Sequence, residues 1–211
     1  MRFLFLTAAL FAAQPALADE CHSEISALFD GGALDPFAQP AYAYDTVVKT
    51  AEGAVKYEFH TVFDTPMKSM SGLKGQMATL IIGNRSWTAP GPDGPWTETP
   101  NHNPEDMEAF QMSIRDQQAK NLKDTECLGP VVKDGTPMLS YRYTTQTDPN
   151  PDMGGTYFGS TRTVFISPDT GRLMRVEETG AFSHYQPEPS TDQSTLVYTY
   201  DPSISLSVPG E

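Results

Sequence analysis

Residues 85–100 read RSWTAPGPDGPWTETP, with one tryptophan on each side of a Pro/Gly-rich centre. Pro92-Asp93-Gly94 is turn chemistry, since Pro fixes φ and Gly accepts positive φ. The segment therefore reads as a hairpin, with LIIGNRSW leading in and PWTETP leading out. Trp87 and Trp96 would lie near its two legs, as a cross-strand aromatic pair or as a face on which a ligand stacks. A hairpin here makes the neighbouring segments the rest of an antiparallel sheet.

They fit that reading. In KYEFHTVF (56–63), Tyr57, Phe59 and Phe63 alternate with Lys56, Glu58 and His60, as in a half-buried strand. MATLIIG (77–83) is a second strand, and TPMKSMSGLKGQ between them holds a short strand and a Gly turn. Further on, PMLSYRYTT (137–145), RTVFIS–PDTG–RLMRVEE (162–178) and TLVYTY (195–200) repeat the alternation, and ISLSV (204–208) reads as a last strand. Residues 181–193 are polar and read as a long loop.

Two helices interrupt the strands. CHSEISALF (21–29) is stopped by Gly31-Gly32. Residues 103–123 form the stronger one: Asn103 caps, Pro104 suits the first turn, and Glu105, Asp106 and Glu108 complement the positive helix end. Met107, Phe110, Ile114 and Leu122 share its apolar face. The expected fold is α+β, a single curved antiparallel sheet with helices packed on its concave face.

The first 18 residues read as a cleaved signal peptide: Arg2, an apolar run from Phe3 to Ala13, and Ala16-Leu17-Ala18 before the cut. An apolar run of this length falls short of the roughly 20 residues that span a bilayer. Ala18-Asp19-Glu20 before Cys21 lacks the small residue that lipidation needs. The expected product is one domain, residues 19–211, in the periplasm or secreted. Cys21 and Cys127 are the two cysteines, so one intramolecular disulfide is expected. It would tie the first helix to the end of the second.

With 14 basic and 27 acidic residues the chain carries a net charge of −13, which repels nucleic acid and anionic lipid headgroups. The four histidines, at 22, 60, 102 and 184, have no metal-ligand spacing, and His60 reads as a surface residue. Nucleophile-elbow, dinucleotide and P-loop motifs are missing. Asp148, Asn150 and Asp152 are spaced as in a calcium loop, but Gly154 is one place late and the closing Glu is absent. Met67, Met70 and Met77 could bind Cu(I), though methionines more simply fill apolar gaps. Glu177 and Glu178 point to opposite faces of a strand and cannot act as an acid/base pair. No enzyme, metal or cofactor is expected.

TLIIGNRSWTAPGPDGPWTETP (79–100), followed by an acidic amphipathic helix, and the ending YTYDPSISLSVP (198–209) resemble the LolA-like half-barrel superfamily, which includes the LppX/LprG-type lipid-binding lipoproteins. The resemblance spreads over residues 43–208. It implies a curved antiparallel sheet whose concave side, closed by helices, holds lipid or acyl chains. None of the carriers' handoff or lipid-gripping residues matches a position here. The candidate lining comes from the apolar faces: Tyr57, Phe59 and Phe63; Leu80 and Ile82; Met107, Phe110 and Ile114; Tyr141 and Tyr143. Those faces fit an exported carrier of an apolar small molecule or lipid. They fit equally an envelope module with a closed core and a protein partner.

Overall fold

Eleven antiparallel strands form one open, curved sheet in the computed structural model, which describes residues 15–100 and 103–210. Helix α1 (Pro15–Ala27) is followed by strands β1 (Tyr42–Lys49), β2 (Val55–Thr65), β3 (Lys68–Leu73), β4 (Ala78–Ile82), β5 (Arg85–Ala89) and β6 (Thr97–Thr99). Helix α2 (Met107–Lys120) precedes β7 (Lys123–Lys133), β8 (Thr136–Gln146), β9 (Phe158–Ile166), β10 (Leu173–Ser183) and β11 (Gln193–Tyr200). The strand order is β6-β5-β4-β3-β2-β1-β11-β10-β9-β8-β7. Two meanders are thus joined where β1 pairs with β11, and α2 carries the chain from one sheet edge to the other.

One face bears the helices. Val164, Val176 and Leu196 are register partners across β9, β10 and β11, and Tyr141 lies opposite Val164. Cys21, Ile25 and Phe29 pack on them from α1 and the turn after it. Ile25 and Val164 are both 0% exposed. Phe29 meets Tyr143 edge-on, with ring centroids 5.9 Å apart. Cys21 and Cys127 are joined, with Cα atoms 5.6 Å apart. Cys127 lies within the edge strand β7, not at the end of α2, so the bond fastens α1 to the sheet edge.

Several sequence expectations shift. The second helix begins at Met107, because Asp106, not Asn103, caps it by accepting from the Ala109 N–H at 2.9 Å. Leu122 falls beyond the helix but stays in the core. The first helix starts earlier than expected, at Pro15. Of the leader read over residues 1–18, residues 1–14 lie outside the described residues and 15–18 begin α1.

The 85–100 hairpin forms as β5 and β6, yet Trp87 pairs with Glu98 rather than with Trp96. Trp96 precedes β6, and a Cβ on Gly94 (φ +87) would stand 3.2 Å from its ring. Trp87 is instead covered by the Arg85 guanidinium, 4.7 Å from the ring centroid. ISLSV is not a strand. It is irregular, with Ile204, Leu206 and Val208 half-buried, and the Leu206 N–H donates to Asp64 Oδ2 at 3.1 Å. The loop expected over 181–193 shortens because β10 continues to Ser183.

Candidate functional site

A cavity of about 230 Å³ lies between the sheet's helix-bearing face, the segment after α1, and α2. Phe29, Ala33 and Leu34 line it from that segment, and Gln111, Ile114, Arg115 and Gln118 from α2. Tyr42, Phe63, Tyr143, Arg162, Leu173, Val176, Tyr198 and Tyr200 form the sheet side. Register explains the aromatic floor. Tyr42 stands opposite both Phe63 and Tyr200, and Tyr44 opposite Tyr198, so these rings share a face. Their centroids are 5.0–6.4 Å apart, within the range of favourable aromatic contact.

The segment after α1 is held by a buried carboxylate. Asp35, 5% exposed, accepts from the Gly31 and Phe37 N–H groups at 3.0 and 2.9 Å. Arg115 of α2 reaches its Oδ2 at 3.3 Å and lies over the Phe37 ring. The C-terminal end of α2 is tethered by polar contacts: Thr145 Oγ1 donates to the Gln118 carbonyl, and Asn121 donates to Asp148 and to the Gln146 carbonyl. Met107 is the helix's buried residue. The roof of the cavity is therefore attached by polar contacts at its end more than by apolar packing along its length.

One charge pair stands on the floor. Arg162 Nε donates to Glu178 Oε2 at 2.9 Å, and Ser160 Oγ donates to the same oxygen at 2.9 Å. Arg162 and Glu178 are register partners, and Tyr143 lies opposite Arg162 on the other side. The side chains are 27% and 20% accessible, although protein surrounds Arg162; its open surface is the one lining the cavity. Burial pulls the guanidinium's pKa down, but the facing Glu178 carboxylate and Tyr143 outweigh this and the net shift is upward.

The phenols hold their protons tightly. Burial pushes Tyr143 from 10.0 to about 12, against a smaller lowering by Arg162. Burial, then the neighbouring Tyr42 and Tyr44, raises Tyr198 well above the ordinary value. A phenol whose folded pKa is raised contributes stability that is fully present below its unfolded pKa and lost as pH rises through the folded value. For Tyr143, 1% exposed, that is about 2–3 kcal/mol, lost between about pH 10 and 12. Urea unfolding at stepped pH should give a midpoint flat to about pH 9.5 and falling above 10. Phenolate absorbance from these tyrosines should appear with unfolding; ordinary titration centred on pH 10 in the folded protein would contradict this.

The ten expected lining residues do not form one surface. Phe63, Ile114 and Tyr143 line the cavity. Phe110 and Ile114 line a second space, of about 220 Å³, on the Met153–Phe158 side of α2. Tyr141 lies beneath α1, its hydroxyl donating to Glu24 Oε1 at 2.6 Å. Met107 is buried in the first turn of α2. Tyr57 and Phe59 share the face of Phe63 but pack edge-on against each other, 5.3 Å apart, outside the cavity lining. Leu80 and Ile82 are on the opposite face: Leu80 lies opposite Met70 and Trp87, in the row that includes Val62. Ile81 shares the face of Phe63.

The remaining motifs resolve locally. His60 Nδ1 meets Asp45 Oδ1 at 2.9 Å on the exposed other face. In the 148–155 segment Asp148 is engaged by Lys120 and Asn121, while Asn150 Oδ1 accepts from the Asp152 N–H. Met70 sits in β3, and Met77 is 62% exposed in the turn after it. Glu177 and Glu178 do face opposite ways: Glu177 pairs with Lys133 and Arg175.

The fold and site together define a half-barrel sheet with a helix-roofed, aromatic-floored cavity. No protein-family profile matches the chain, and no curated protein matches it. Similar solved structures include the Mycobacterium tuberculosis lipoprotein LppX, at 12% identity over 89% of this chain and 95% of that one, with a TM-score of 0.42. LprF from Mycobacterium bovis is 9% identical, covering 89% and 97%, with a TM-score of 0.46. A LolA superfamily protein from Nitrosomonas europaea is 11% identical, covering 82% and 90%, with a TM-score of 0.32. Likeness at this level leaves the functional reading to the chain's own geometry.

Proposed function

We propose that this chain is an exported, non-enzymatic carrier or binding protein for an apolar or amphiphilic ligand, a lipid or single acyl chain, in the cell envelope. The observation that carries this is the cavity itself. Its walls are mainly apolar and aromatic, with a few convergent polar groups, which is the usual make-up of a small-molecule site. The signal-peptide pattern of residues 1–18 supports export, and the joined cysteines suit an oxidising compartment. Among the described residues, no helix is long and apolar enough to cross a membrane.

The test is native mass spectrometry of protein made with its leader in a bacterial periplasm, followed by titration with a fluorescent fatty acid. Co-purifying lipid, or probe binding that Leu34→Trp abolishes by filling the cavity, is the expected result. No co-purifying ligand, together with no probe binding by the natural chain, would sink the reading in favour of a closed-core module that binds a protein partner.

A further inference from the structure

We propose that the Arg162–Glu178 pair is the polar anchor of the cavity, and that the ligand is a single-chain amphiphile whose head is an uncharged hydroxyl or carbonyl. The inference rests on the carrier reading and narrows its ligand. Arg162 shares its face with Val164 and Ile166, where an apolar residue would be expected from register. Its contacts to Glu178 and to Ser160 (3.2 Å) both use Nε. The guanidinium lines the cavity, the Tyr143 phenol bonds to it there, and its five N–H groups outnumber these contacts.

A ligand that covers this guanidinium must pair with its remaining N–H groups or shut them off from water, which is costly. Three head types compete. A plain hydrocarbon end satisfies nothing. A carboxylate satisfies the guanidinium but sets a second negative charge near Glu178, which already neutralises Arg162. A hydroxyl accepts from Nη and donates to a carboxylate or phenol oxygen, so it fits a neutral pair on both sides. Size adds a limit. At about 30 Å³ per water-sized group, a cavity of about 230 Å³ buries about eight heavy atoms of a chain, and the rest of a longer one extends through its open side.

The probes are therefore 1-octanol and octanoate, titrated calorimetrically into the disulfide-bonded protein at pH 8. The natural chain should bind 1-octanol on the order of tenfold more tightly than octanoate, the scale of one charge-assisted hydrogen bond. Glu178→Gln leaves the guanidinium uncompensated and should reverse the order. Equal binding, or tighter octanoate in the natural chain, overturns the anchor while leaving the carrier reading intact. No binding of either probe overturns the anchor, and if the fluorescent fatty acid also fails, the carrier reading falls with it. The comparison within the natural chain decides the matter even where Glu178→Gln fails to fold, which circular dichroism reports.

Discussion

Replacing Cys21 and Cys127 by serine should lower the stability of the oxidised protein by about 4–5 kcal/mol. The two residues are 106 positions apart, and chain entropy assigns a closed loop of about 100 residues a stabilisation of roughly that size. Cys21 is itself buried in the core beside Ile25 and Tyr141, so the polar replacement adds to the loss. For a chain near 200 residues this is a fall in Tm of about 10–15 °C. The damage should be uneven. The bond fastens α1 to β7, an edge strand that β8 alone pairs, whereas β1 is paired on both sides. Amide exchange should therefore accelerate over residues 19–29 and 123–133 more than over β1 and β2. Reduction of the natural chain in denaturant titrations gives the same measurement without mutation. A change below about 1 kcal/mol, with unaltered exchange in α1, would mean that Ile25 and the Tyr141–Glu24 hydrogen bond hold the helix unaided.

Much of the sheet was legible because period-two alternation is a local property. Leu139, Tyr141 and Tyr143 alternate in β8, and Leu196, Tyr198 and Tyr200 in β11, and each set lies on one face as read. β7 escaped because its residues are mostly exposed on both sides. KDTECLGPVVK carries Asp124 at φ 49 and Gly129 at φ 78, both where its pairing slips, and it shows no clean alternation. Such irregular, charged edge strands resist pairing with other chains, and that service erases the pattern that would reveal them. ISLSV fails in the opposite direction. Its alternation is real, but half-burial against the protein surface needs no ladder.

The site was less legible, for a reason of parity. In LIIG every residue is apolar, so nothing local says whether Leu80 or Ile81 faces the helices. The answer depends on pairing with β3, where Met70 stands opposite Leu80 and Ser69 opposite Ile81. Ser69 and Ser71 of β3 thus lie with Leu73 on the helix-bearing side, and Met70 turns away. Tyr42 and Tyr200 were within reach, since YAYD and TLVYTY place tyrosines two apart. What the sequence hid is that β1 and β11 are neighbours, which brings these tyrosines onto one floor. Arg162 was visible as a charge with the parity of Val164 and Ile166; its partner Glu178 has the parity of Val176. Neither fact points to the other until β9 and β10 are set in register.

That pair makes the second large prediction. Arg162→Met should destabilise the protein by about 3 kcal/mol, since removing one partner strands a carboxylate against an aromatic floor. The figure sits at the low end of the range for buried pairs because the two side chains remain 27% and 20% accessible. Arg162→Met with Glu178→Leu should recover most of the loss, to within about 1 kcal/mol of the natural chain, because an apolar pair needs no compensation there. Urea unfolding of the two single variants and the double variant closes the cycle. If the double variant loses as much as the singles combined, the pair is needed to shape the sheet, and Ser160, which donates to Glu178, has lost a partner that it cannot replace. If it recovers, the sheet folds as well without the charges. Their presence on an otherwise apolar face then has to be explained by what enters the cavity, because the fold does not require them.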